Sequence, residues 1–152
     1  MSASEKNQPD FSIEITPRLA NLAMIRRVVN SLSIDLGLSD REALQLEIAV
    51  DEACANSIKS VLENPLRSSE AKIRLEISIR RRCLRLSIFD AGKNLQQEYE
   101  NAAPLHEKTD RTRIKECGPH IVKTFMDEVR YIHEPTSGNR LILTKYLQSI
   151  HF

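Results

Sequence analysis

Apolar and polar residues alternate from Phe11 to Thr16, with Phe11, Ile13 and Ile15 on one side, which predicts a short strand. Thr16-Pro17 then supplies a capping hydroxyl and a proline suited to a first helical position. Leu22, Ile25, Val29, Leu32 and Leu36 recur at steps of three and four, so a helix is expected as far as Gly37, a natural left-handed cap. Ser39-Asp40-Arg41-Glu42 has the form of a capping box and opens a second helix that should reach Glu63, before Asn64-Pro65. Its apolar stripe is Leu46, Ala49, Val50, Ala53, Ser57 and Val61. Two alternating runs follow, Ile73 to Ile79 and Leu84 to Ile88, joined near Arg81-Arg82, and they predict an antiparallel hairpin with one buried face.

The pattern vanishes from Lys93 to Lys115, which predicts a polar loop unusually long for a compact domain. Gly118-Pro119 opens a third helix containing Ile121, Val122, Phe125 and Met126. Val129 to His133 and Leu141 to Leu147 predict a last hairpin, turning at Ser137-Gly138-Asn139. The order predicts an α+β fold, a two-layer α/β sandwich with a mostly antiparallel sheet and three helices on one face. Residues 1–10 are expected as a disordered lead-in, and 11–150 as a single domain with the loop 93–115 lying over it.

Composition narrows the function classes. The chain has 152 residues, one domain's worth, with 22 Lys plus Arg against 21 Asp plus Glu. That balance gives no global attraction to nucleic acid or an anionic membrane. Aromatic residues make up 5% of the chain, which leaves little for base stacking, so no direct nucleic-acid partner is expected. No apolar run is long enough for a membrane span, and the polar start lacks the order of a signal peptide. Cys54, Cys83 and Cys117 are odd in number and widely spaced, which fits a reducing cytoplasm better than a disulfide framework. All three are expected as small buried hydrophobes, with Cys117, near a helix start, the one whose thiol could be activated.

Three places could carry chemistry. Glu52 and Asn56 lie four apart on the second helix, away from its core stripe, with Lys59 three further on the same side. A carboxylate can accept a proton, an amide oxygen suits Mg²⁺, and an ammonium can neutralise phosphate. An ordinary solvated helix face has the same composition. Asp90-Ala91-Gly92 follows a strand directly. There a carboxylate could meet an amino group beside a glycine that allows close approach, although Asp and Gly are also ordinary turn residues. Gly118, in front of a helix, could present free N–H groups to an anion, or could simply precede Pro119 at a plain helix start.

Leu46 to Lys59, LEIAVDEACANSIK, resembles the motif helix of the GHKL ATPase superfamily, and within it the small anti-sigma-factor serine kinases of the RsbW type. Phe125 to Val129, FMDEV, resembles that family's text after its second glycine box, and Leu141 to Leu147 resembles its last strand. The likeness spans about residues 11–148. It implies a Bergerat, histidine-kinase-like ATPase fold binding ATP and Mg²⁺ under a lid at 93–115. It implies that Glu52 activates a substrate serine or threonine hydroxyl, that Asn56 holds Mg²⁺, and that Lys59 and Gly118 meet phosphate. It also implies that Asp90 contacts the adenine amino group, with Gly92 letting the base approach. Implied partners are a sigma factor, a STAS-domain anti-anti-sigma protein and a second copy in a homodimer. The resemblance leaves open a catalytically inactive anti-sigma or adaptor module of the same fold. The chain departs from the family pattern in three places: Asn94 replaces a glycine of the first box, Glu116-Cys117-Gly118-Pro119 replaces the second, and Asn139 stands where many relatives carry threonine.

Overall fold

The computed structural model describes residues 8–104 and 118–148. Strands β1 (Phe11–Ile15), β2 (Ile73–Arg80), β3 (Cys83–Asp90), β4 (Glu128–Glu134) and β5 (Gly138–Tyr146) form one sheet in the order β1-β2-β3-β5-β4. Every neighbouring pair is antiparallel, so the sheet is wholly rather than mostly so. The described residues hold four α-helices: α1 (Leu22–Asp35), α2 (Asp40–Glu63), α3 (Gln96–Asn101) and α4 (Gly118–Phe125).

One face of the sheet makes the core. Leu75, Ile88, Leu141 and Tyr131 stand in one cross-strand row, and Ile77, Leu86, Leu143 and Val129 in the next. These residues pack with Ile25 and Val29 of α1 and with Leu46, Val50 and Ile58 of α2 in one apolar cluster. The period-2 pattern of the strands and the 3.6 pattern of the helices therefore meet as the sequence predicts.

Helix boundaries follow their local chemistry. Ser39 Oγ accepts from the Glu42 N–H at 3.1 Å, and Glu42 reaches back to the Ser39 backbone, which completes the capping box at the head of α2. Gly37 sits at φ 68°, and the Leu38 N–H bonds Ser33 O at 3.0 Å, a glycine-capped end to α1. The start of α1 is corrected. Thr16 does not cap it; the Asn21 side-chain amide donates to Thr16 O and Oγ1, and a 3-10 turn over Leu19–Asn21 delays the α-helix to Leu22.

Two further expectations are revised. Within the supposed loop 93–115, residues Gln96–Asn101 form α3, while 105–115 lie outside the described residues. Of the expected lead-in 1–10, residues 1–7 also lie outside them, whereas Asp10 is tied to β2. Its carboxylate accepts from the Ile79 N–H at 2.7 Å and pairs with Arg80 at 2.8 Å. Cys54 is buried, and burial pushes its thiol up to about 12, as befits a small core side chain. Glu116 and Cys117 lie outside the described residues. No described helix is long and apolar enough to cross a membrane.

Candidate functional site

The C-terminal half of α2 is stitched to the chain leaving β3. The Asn64 amide donates to Ala91 O at 2.9 Å, the Lys93 N–H to Ser60 O at 3.3 Å, and Lys93 pairs with Glu63 at 3.1 Å. Gly92 lies inside this seam. A Cβ there would stand 2.2 Å from Ser60 Oγ and 2.6 Å from the Ser60 carbonyl carbon. Glycine is required at 92 by the approach to α2, a reason distinct from the approach of a ligand.

At the end of β3, Asp90 shares a cross-strand row with Asn139 of β5 and His133 of β4, on the core face of the sheet. Asp90 is 7% exposed and Asn139 2%. Asp90 Oδ1 accepts from the Gly92 N–H and from Asn139 Nδ2, both at 2.9 Å. Asn139 Nδ2 also faces the carbonyls of Gly92 and Lys93 at 3.0 Å. With its nitrogen turned to three acceptors, the amide presents its oxygen to His133, and Nδ1 of that ring donates across 2.6 Å. Burial raises the Asp90 carboxyl, against the lowering by Asn139, the Gly92 N–H and the Ser57 hydroxyl. Gly138 permits this row, since at φ 95° a Cβ would come within 2.6 Å of Asp90 O.

Asn56, half-buried on α2, faces the start of α4. A Cβ on Gly118 would lie 2.8 Å from Asn56 Nδ2, so glycine lets the two helices close here. The Asn56 amide donates to the Tyr99 hydroxyl at 3.4 Å. Tyr99 of α3 is 2% exposed and stacks on Tyr131 of β4, with centroids 5.3 Å apart and planes inclined by 12°. Burial raises both phenols, opposed for Tyr99 by the Asn56 hydrogen bond and for Tyr131 by the Leu95 N–H. The flanks of α3 are held as well. The Leu95 N–H donates to the Tyr131 hydroxyl at 3.1 Å, Lys123 of α4 donates to Ala102 O at 2.9 Å, and His120 Nδ1 lies 2.7 Å from Ala103 O.

The six predicted residues are thus partly assembled. Asn56 and Gly118 meet, and Asn56 and Lys59 line one cavity with Ser60, Glu63, Leu95, Glu98 and Pro119. Lys59 is exposed and Glu52 half-buried; Glu52 and Asp90 are not among that cavity's walls. Sequence reasoning missed Tyr99, Tyr131 and His133, and placed Asn139 in the last turn and, by resemblance, where many relatives carry threonine. Leu95 and Tyr99, four apart within a polar stretch, were the one signal that this stretch folds inward.

The residues fit ATP and Mg²⁺ at one end only. An amide, an ammonium and a glycine at a helix start suit a metal and phosphates. Toward Asp90 the side chains pack on one another. Tyr99 lies over Tyr131, one row from Asp90, and Asp90 Oδ1 already accepts two N–H groups. The remaining cavity measures about 170 Å³, below the roughly 300 Å³ at which small-molecule sites begin. Among the described residues, this cavity alone does not hold a whole nucleotide.

Comparison with known proteins gives concordant results. The family model for the histidine kinase-like ATPase domain matches residues 15–145. An anti-sigma F factor of Clostridium kluyveri is 28% identical over 140 residues, covering 92% of this chain and 96% of that protein. The serine-protein kinase RsbW of Bacillus subtilis is 27% identical over 148 residues, covering 93% and 89% respectively. Among solved structures, the SiaB–SiaC complex of Pseudomonas aeruginosa contains a chain that superposes with a TM-score of 0.68 at 10% identity, covering 95% of this chain and 94% of that one. That superposition speaks for the fold alone.

Proposed function

The chain belongs to the histidine kinase-like ATPase domain family, and from that premise we propose that it is a regulator of the anti-sigma type whose partner binding does not require ATP. It would control transcription by holding a sigma factor or the antagonist of one, in the cytoplasm. Its relatives are anti-sigma F factors and a serine-protein kinase along nearly the whole length of the chain, which supports the anti-sigma class. The observation that carries the ATP-independent half is Tyr99, bonded to Asn56 and stacked on Tyr131 where a base would lie. Replacing such an ordered aromatic contact by a nucleotide would require α3 to give up its bonds to α4 and β4.

A second reading is favoured by Glu52 and Asn56, which keep one face of α2 one turn apart. It is an ATP-dependent serine/threonine protein kinase acting on a STAS-type antagonist, with Glu52 as proton acceptor, Asn56 on Mg²⁺ and Lys59 and Gly118 on phosphate. It needs a rearranged α3 before any nucleotide enters. In either reading a homodimer is a natural assembly, because Phe11 on the edge strand β1 and Met24 on α1 expose apolar surface.

The test is capture of partners from the native cell by the tagged protein, with and without MgATP, in wild type and Glu52→Ala. The proposal expects a sigma factor or its antagonist to be retained equally in all four conditions. Retention that depends on ATP, together with phosphate transfer to a partner serine abolished by Glu52→Ala, would establish the kinase instead. Retention of neither protein class would overturn both.

A further inference from the structure

The sheet has a second face on which no described helix packs. Its central row runs Glu14, Arg74, Phe89, Arg140 and Ile132 across all five strands. Phe89 is gripped from both sides: the Arg74 guanidinium carbon lies 4.2 Å from its ring centre and that of Arg140 5.2 Å. Glu76 Oε1 approaches Arg74 Nε to 3.2 Å but out of line for a hydrogen bond, so Arg74 Nε and Arg140 Nε are both buried without an acceptor. The stack therefore holds two guanidinium groups in place with both Nε–H groups unspent, while Arg140 Nη2 donates to Ser87 Oγ at 3.4 Å. The groove over these strands encloses about 680 Å³, and its charged walls are Arg74, Arg80, Arg85 and Arg140 against Glu76 alone. Arg80 is neutralised by Asp10, whereas Arg85 and Arg140 meet no carboxylate among the described residues.

We propose that this open face docks an acidic amphipathic helix of a protein partner. The spacing of the cations selects the ligand. The backbones of Arg74 and Arg140 are two strands apart, about 10 Å, with both guanidinium groups drawn in against Phe89, and Arg85 lies four residues along β3 from Phe89, about 13 Å. One phosphate does not reach Arg74, Arg140 and Arg85 together. Those separations match carboxylates two turns apart on a helix, about 10 Å, and a helix body is itself about 10 Å wide. An extended peptide adds to a sheet edge, whereas a sheet face is covered by helices. A nucleic acid would need an open ring for stacking, and both sides of Phe89 are taken. Phe89 and Ile142 give the helix an apolar floor between the charges. None of these residues belongs to the Tyr99 site, so the docking face stands or falls separately from either reading of the nucleotide position.

The probe is a synthetic amphipathic helix with leucines on one face and flanking glutamates, beside its lysine-for-glutamate counterpart, a single-stranded oligonucleotide and sodium tripolyphosphate. The proposal expects saturable binding of the acidic helix, amide shifts centred on β2, β3 and β5, and weakening with salt. Arg74→Gln combined with Arg140→Gln should weaken binding about tenfold or more. Should that pair disturb the cooperative melt, Arg85→Gln alone, at an exposed position, must weaken binding severalfold. Equal binding of the lysine counterpart, shifts confined to α1 and β1, unchanged affinity in the variants, or displacement of the helix by tripolyphosphate or the oligonucleotide would each overturn the proposal.

Discussion

On the helix-covered face of the sheet, Asp90, Asn139 and His133 bond one another, and their neighbours Tyr99 and Tyr131 close the space above. One residue away on the same strands, Phe89 and Arg140 point the other way, and the Arg140 guanidinium lies against the Phe89 ring without a carboxylate among the described residues. Inside, polar groups are satisfied by one another, and the result is a locked end of the core. Outside, they are fixed in position with some N–H groups still open, and the result is a surface with capacity for a ligand. A buried amide without a partner costs stability, whereas the exposed Arg85 guanidinium is solvated.

Substitutions on β5 test this contrast most strongly. Leu143 is fully buried between helices and sheet, and Ile142 beside it faces outward and is half-buried. Leu143→Ala should lower unfolding stability by about 2–5 kcal/mol, and Ile142→Ala by less than about 1.5 kcal/mol, in urea titrations. Equal losses would erase the difference between the faces. Next comes Asn139→Ala, which removes one donor from the Asp90 carboxylate and from two carbonyls, with an expected loss of about 2–3 kcal/mol. Gly92→Ala forces a Cβ against the α2 backbone and should cost about 1–3 kcal/mol, with broadened amide signals around Ser60.

A smaller effect concerns pH. Burial raises the Asp90 carboxyl above its unfolded value near 3.8, so the folded state binds that proton more readily. Its stabilising contribution is complete below the unfolded value and is lost as pH rises through the raised one. Asp90→Asn keeps an oxygen for the Gly92 and Asn139 N–H groups and removes the titration. The stability of wild type relative to this variant should therefore fall as pH rises from about 3 toward neutrality. A difference that stays flat, or grows with pH, would contradict the raised carboxyl. Smallest of all, Arg85→Gln on the open face should change stability by no more than about 0.5 kcal/mol.

Much of this architecture is legible along the chain, because its signals are local. The Ser39–Glu42 box, the Gly37 cap and the alternating strands each need only near neighbours, and all stand as expected. The start of α1 was misplaced because Thr16 and Asn21 bond each other, a choice that Thr16-Pro17 alone does not reveal. The helix α3 escaped notice because QQEYEN offers one large apolar surface, Tyr99, and its burial depends on Tyr131, 32 positions later (131 − 99). The role of Asn139 is set by a strand pairing with Asp90, 49 positions earlier, which no local pattern encodes. The same holds for the Arg74–Phe89–Arg140 stack, which exists only because β5 inserts between β3 and β4.

The most direct test is a calorimetric titration of MgATP into wild type and Tyr99→Ala, with Tyr99→Leu as a milder cavity control. If Tyr99 fills the place of the base, wild type gives no saturable heat, and Tyr99→Ala gains binding that the bulkier leucine restores only in part. Wild-type protein that binds ATP as tightly as Tyr99→Ala would contradict the account.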